Sequence, residues 1–447
     1  MPKPPKAPAE APRPSMGESP GVLSKRTNSK KSSWCPKVEI EFDPQCDPQN
    51  PKAINYKEII KAAGEIGETI PKTPLVKSRC CNRFGLQLYY KIETLHRTGS
   101  FNERGALNAL LSLTPAEQDA GVITASLGNF GMALSYHARK MNVRARIIFP
   151  EKTPAMYVDK CKQYGAKVYI DGENFMEARH QAFVMAIDLG SVYINGYDNP
   201  SVIAGCGTIG LEILEELPEA DVIIVPVGGG ALIAGIAEAT KHIKPDIQIY
   251  GVEPDKCCCF FKAMEKDGIF ETEVRQSVAG SLAIPTAGCN SFHTAKPYIS
   301  KMILVDDDWI MRAILHFAEE EKLVAEGAGA TSLSALMAMP NILPELKDKV
   351  VVCIMSGSNI DNITFPRCLT RAKAVEGSLI KISFKMMVET RDLEHSCQVK
   401  RVLNKLFPDK CEFLEDPFSP IPICSCFPKK QGPPAAIDQS KKVVGKK

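Results

Sequence analysis

Between Tyr56 and Pro366 short apolar runs alternate with helix-length stretches, and this rhythm constrains the fold more than any other feature. Helical spacing covers Tyr56–Ile70, Phe101–Leu113 and Asn129–Met141. β-rich runs fall at Leu86–Glu93, Val122–Ser126, Ala145–Pro150, Lys167–Asp171, Val192–Asn195, Asp221–Val227, Ile247–Val252 and Lys349–Met355. Strands alternating with helices of 10–15 residues imply βαβ units, a parallel sheet and right-handed crossovers. The unbroken apolar run Val222-Ile-Ile-Val-Pro-Val227 suits a strand covered on both faces.

Composition narrows the class. With 44% apolar and 24% charged residues in 447, the chain reads as an ordinary globular protein with room for one large core or two lobes. The formal charge of +3 is unevenly spread. Residues 1–33 carry seven Lys/Arg and two Glu, and residues 429–447 carry six Lys and one Asp, so each end is +5. The body between is therefore −7, which argues against a nucleic-acid-binding fold. No apolar run is long enough to span a bilayer, and the Pro/Lys-rich start has no signal-peptide core. The expectation is a cytoplasmic protein whose 16 cysteines are thiols. Residues 1–36 and 416–447 read as solvated tails around a body at 37–378.

Three segments carry candidate chemistry. Gly228-Gly-Gly230-Ala231 follows the apolar strand and opens a helical run; it is either a phosphate cradle or a plain strand-to-helix turn. Ser126-Leu127-Gly128-Asn129-Phe130 opens another helix, and Ser356-Gly-Ser-Asn359 follows the last apolar strand. Cys257-Cys-Cys259 makes a poor metal cage, because adjacent residues on a helix point apart. Cys411 with Cys424-Ser-Cys426 lacks a histidine partner. The sequence therefore assigns no metal.

Lys91-Ile-Glu-Thr-Leu-His-Arg-Thr-Gly-Ser-Phe101-Asn102 resembles the cofactor-attachment motif of the threonine/serine dehydratase and serine racemase family. The resemblance covers roughly 70% of the chain, with at least five motifs in the family's order. It implies a fold-type-II pyridoxal-phosphate architecture: two parallel-sheet α/β domains, the smaller at about 95–195, with the cofactor cleft between them. The implied cofactor contacts are Phe101, Asn129, Gly228, Gly229, Gly230, Ala231, Glu326 and Ser356. The implied substrate contacts are Ser126, Leu127, Gly128 and Phe130. The residue after Ser-Phe is a lysine in the family, where it holds pyridoxal phosphate as a Schiff base and moves the Cα proton. Here it is Asn102, which can do neither.

Asn102 has company. Phe130 replaces the family's histidine, Ala231 a fourth glycine, and Ala279-Gly-Ser281 its Ala-Asp-Gly. Leu127 stands where racemases place a serine, which argues against racemisation. Glu253 persists from the racemase cation site, followed here by three cysteines. The implied protein is a dehydratase-like pseudoenzyme that binds pyridoxal phosphate or an amino acid non-covalently. Two other readings stand beside it: an active threonine/serine ammonia-lyase using another base, and a non-catalytic partner of an active paralogue. The family's habit implies a homodimer, or a hetero-oligomer with such a paralogue. Beyond Leu379, the alternating run to Val388 and the helical run Ser396–Leu406 resemble the opening of an ACT-like regulatory domain, truncated within 379–415.

Overall fold

The structure is a computed structural model that describes residues 43–80, 84–338, 343–379 and 393–408. The chain divides into two units, residues 1–379 and 380–447. In the second, the described part is a helix, Leu393–Leu406. The terminal tails, most of the strand expected at Leu379–Val388 and the Cys411/Cys424/Cys426 group lie outside the described residues.

The first unit holds two sheets. The strands in chain order are β1 (Leu75–Lys77), β2 (Gln87–Ile92), β3 (Val122–Ala125), β4 (Ala145–Phe149), β5 (Lys167–Ile170), β6 (Val192–Tyr193), β7 (Val222–Pro226), β8 (Gln248–Pro254), β9 (Ile299–Val305) and β10 (Val350–Met355). The large sheet runs β1-β2-β10-β7-β8-β9 and the small one β5-β4-β3-β6. The chain leaves the large sheet after β2, builds all four strands of the small sheet, and returns at β7. Every pairing is parallel except β1 with β2, where Leu75, Val76 and Lys77 face Lys91, Tyr90 and Tyr89. This antiparallel edge departs from the wholly parallel sheet that the alternation implies. Three residues before a turn carry no periodicity to read. β9 was also missed, because as an edge strand it is only half-buried and carries Ser300 and Lys301.

Burial explains the rest. β7 and β10 sit inside the large sheet and are buried along their whole length, as their continuous apolar runs require. Helix starts are set by local chemistry. Asn55 and Glu58 form a capping box on Tyr56–Ile66, Thr114 and Glu117 one on Pro115–Ala120, and Asn199 with Pro200 begins Pro200–Glu216. Among the described residues no helix is long and apolar enough to cross a membrane.

Candidate active site

The cleft forms where the C-terminal ends of strands from both sheets meet helix N-termini, the position at which α/β sheets bind ligands. From the large sheet, β7 delivers Gly228–Ala231 and β10 delivers Ser356; from the small sheet, β3 delivers Ser126–Phe130. Phe101, Asn102 and Glu326 complete the lining with the rest of the expected set, so the structure brings all thirteen sequence-derived residues to one cleft.

The glycine turn is shaped by its neighbours. A Cβ on Gly229 would stand 2.2 Å from the Tyr197 ring, so any side chain there is excluded. The buried N–H groups of Gly228 through Ile233, at the start of the Ala231–Ile243 helix, have no acceptor among the described residues. Six buried donors at a positive helix end have the chemistry that suits an anion. The opposite wall is built alike. The Ser126 hydroxyl oxygen accepts the N–H groups of Gly128 and Gly131, each at 3.0 Å, which locks the turn. Leu127, Asn129 and Phe130 keep N–H groups with no acceptor among the described residues. Ser126 thus braces the loop, while its neighbours' amides face the cleft.

A polar network closes the floor. The Asn129 side-chain amide donates to Glu326 at 2.6 Å and its oxygen accepts from Asn359 at 2.8 Å. The Tyr157 hydroxyl reaches Glu326 at 3.2 Å and the Asn359 carbonyl at 2.8 Å. Gly280 stands at the position of the family's aspartate, and Ser281 beside it lines the cleft and favours the ionised Glu326 carboxylate. Burial pushes the Glu326 carboxyl up to about 7 against the pull of these bonds. Sequence reasoning missed Tyr157 and gave Asn359 and Ser281 no role. Tyr157 lies on the Ala155–Gln163 helix of the small-sheet lobe, where nothing in the local pattern marks it.

Asn102 begins the Asn102–Leu111 helix, and its amide donates weakly to the Ser100 hydroxyl at 3.3 Å. No lysine, arginine or histidine lines the cleft among the described residues. Lys91, the nearest lysine in sequence, is fully buried and committed to the Thr73 carbonyl at 2.6 Å and to Glu212 at 2.7 Å. The Cys257–Cys259 thiols are all buried, and Glu253 accepts the N–H groups of Phe260 and Phe261.

Residues 66–357 match the model of the pyridoxal-phosphate dependent enzyme family. The chain belongs to this family. An L-threonine ammonia-lyase of Geobacter sulfurreducens is 35% identical over 334 residues, covering 74% of this chain and 82% of the relative. One from Thermotoga maritima is 32% identical over 351 residues, or 78% and 85%. Among solved structures, the processed threonine deaminase isoform 2 of Solanum lycopersicum aligns with a TM-score of 0.66 at 31% identity, covering 72% and 96%. Maize serine racemase aligns with 0.67 at 28% identity, covering 73% and 99%.

The donor set suits the family's cofactor in part. The glycine-loop amides fit a phosphate, and the Ser356 hydroxyl and Asn129 amide fit a polar ring. The cleft itself holds about 100 Å³, below the ~300–1,000 Å³ of ordinary ligand pockets, and shares Leu127, Phe175, Ser281, Glu326 and Ala328 with a larger cavity of about 1060 Å³. The covalent anchor does not fit, because Asn102 has no amine to offer.

Proposed function

We propose that this chain is a threonine/serine dehydratase-like pseudoenzyme: it binds pyridoxal phosphate or an amino acid non-covalently and has no ammonia-lyase turnover. The observation that carries this reading is the side chain at the anchor position. It is an amide bonded to Ser100, in a cleft whose lining holds no basic side chain among the described residues.

When bound, pyridoxal phosphate supplies an electron-withdrawing ring. The chain's own residues account for holding without reacting. Gly228–Ile233 amides would take the phosphate, and Ser356 would sit at the ring nitrogen. The amides of Leu127, Asn129 and Phe130 would take a carboxylate. Leu127 and Phe130 make that wall apolar and exclude water. Moving a Cα proton needs a base beside the substrate, and Asn102 has no basic lone pair near neutral pH. Glu326 is the one carboxyl group in the lining; pushed up to about 7 and bonded by Asn129 and Tyr157, it is held as a brace for Asn129.

Incubation with pyridoxal phosphate followed by borohydride and peptide mass mapping tests this reading. The expected result is no lysine-linked adduct, with no 2-oxobutanoate from threonine and no pyruvate from serine. An adduct on any lysine, or turnover above background, overturns it. Asn102→Lys is expected to leave turnover about 10³-fold or more below that of an active family member, because groups that act as a unit fail together and Phe130 and Ala231 remain. Recovery to within tenfold would place the whole defect at one residue.

A further inference from the structure

We propose that Cys80, His316 and Glu321 form a metal site of the zinc class beside β1, separate from the cleft. None of the three lines the cleft, and none belongs to the cysteine groups that stand out in the sequence.

Three elements deliver the ligands. Cys80 lies in the turn that follows β1, and His316 ends the Asp307–His316 helix. Glu321 ends the π-helical turn Phe317–Glu321, closed by the Lys322 N–H on the Phe317 carbonyl. A π turn brings residue i+5 back over residue i, so Glu321 shares a face with His316; an α-helix would carry it to another side. One sulfur, one imidazole nitrogen and one carboxylate oxygen lie within 4.8 Å of one another. His316 Nε2 is 3.6 Å from Glu321 Oε1, longer than a good N–H···O bond. It is close to the ~3.4 Å edge of a tetrahedron drawn around zinc with bonds of about 2.0–2.1 Å.

The surroundings orient these ligands. The Ser78 hydroxyl donates to Glu321 Oε1 at 2.5 Å and accepts the Cys80 N–H at 3.1 Å, so one serine holds both ligand arms. The Arg79 N–H binds the other carboxylate oxygen at 3.1 Å. Ligand carboxylates that are themselves hydrogen-bonded are the usual support of a metal centre. Charge agrees as well. Glu321 and His316 are buried, and no Lys or Arg pairs with Glu321 among the described residues. The Cys80 thiolate and the buried Glu321 carboxylate together offset the charge of a divalent ion, and exposed Glu320 leaves its extra negative charge in solvent. Cys80 is half-buried, which leaves a path for entry. Exposed Glu320, with Oε2 at 3.6 Å from the thiol, is placed to supply the fourth ligand. A mixed S/N/O set selects zinc and its analogue cobalt over calcium or magnesium. Binding releases the thiol proton to solvent, so affinity falls as pH drops.

Full-length protein, reduced and stripped with chelator, is titrated with Co²⁺ and then Zn²⁺. The expected result is a thiolate-to-cobalt charge-transfer band with visible bands of tetrahedral intensity, saturating at one ion per chain and abolished by zinc. Cys80→Ser should remove the charge-transfer band. Ser78→Ala, which keeps every ligand, should weaken zinc about 10–100-fold. Zinc should raise the thermal midpoint of the wild type and not of His316→Asn. The site is refuted by a wild type with no charge-transfer band, or by a band of equal intensity in Cys80→Ser. Should either ligand variant misfold, the wild-type titration and Ser78→Ala decide alone.

Discussion

Two buried polar regions lie on either side of the Asn102–Leu111 helix, and they handle charge in opposite ways. At its first turn Arg104 reaches down to a knot. Its guanidinium binds Glu93 at 2.8 and 3.0 Å and Glu212 at 2.5 and 2.8 Å, and Lys91 completes the knot through Glu212. Two acids meet two bases, and Thr73, Thr208 and His96 fill the remaining positions. Burial alone would raise the Glu93 carboxyl, but Arg104 and His96 hold it well below the usual range. Two residues earlier, Asn102 faces a cleft with one acid, no base, and a carboxyl pushed up towards neutrality. Charge compensation is complete where the two lobes' scaffold depends on it and missing where chemistry would need it.

Removing a charge separates the two regions most sharply. Arg104→Ala strips both buried acids of their guanidinium, leaving Glu93 with His96 and Thr73 and Glu212 with Lys91, and should cost about 3–5 kcal/mol in denaturant unfolding. Glu326→Gln, an equally buried change in the cleft, should stay within about 1 kcal/mol near pH 6. Comparable losses from both would end the contrast.

pH should separate them next. Glu326 has a folded value of about 7 against an ordinary 4.5, so the native state binds its proton more tightly than the unfolded chain does. Its contribution is full below 4.5 and lost as pH rises through 7. Between pH 5 and 8 the wild type should lose about 1–3 kcal/mol relative to Glu326→Gln. Glu93 is depressed instead, so its contribution is present above 4.5 and lost as pH falls below it. A wild-type-minus-variant difference that is flat with pH would remove the proton from Glu326.

Smaller effects probe the cleft alone. Tyr157→Phe deletes the hydroxyl shared by Glu326 and Asn359 and should cost about 1 kcal/mol. Ala231→Gly places glycine at the first helical residue and should cost under about 1 kcal/mol. If the methyl crowds the phosphate, this variant should also tighten pyridoxal phosphate several-fold by fluorescence titration; unchanged affinity would clear Ala231 of that role.

Much of the large architecture was legible. The buried strands β7 and β10 announced themselves because a strand covered on both faces must be apolar throughout. The short edge β1 and half-buried β9 did not, because neither has a face that burial forces into a pattern. The motifs pointed to one cleft because each is local: a strand end, a turn and a helix start within about six residues. Tyr157 stayed hidden because it meets Glu326 across a separation of 169 residues. The Cys80/His316/Glu321 cluster was hidden for the same reason, with a π turn added that no periodicity signals.

The sequence by itself determined the family, the alternation of strands and helices, and the amide at position 102, since these are properties of local residue order. Only the tertiary structure decided what surrounds that amide. It committed Lys91 to Glu212, turned the Ser126 hydroxyl inward, and set Tyr157 against Glu326. Whether a charged or polar side chain is available depends on partners brought close by folding, and in a buried site those partners are chosen by the cost of leaving any group unpaired.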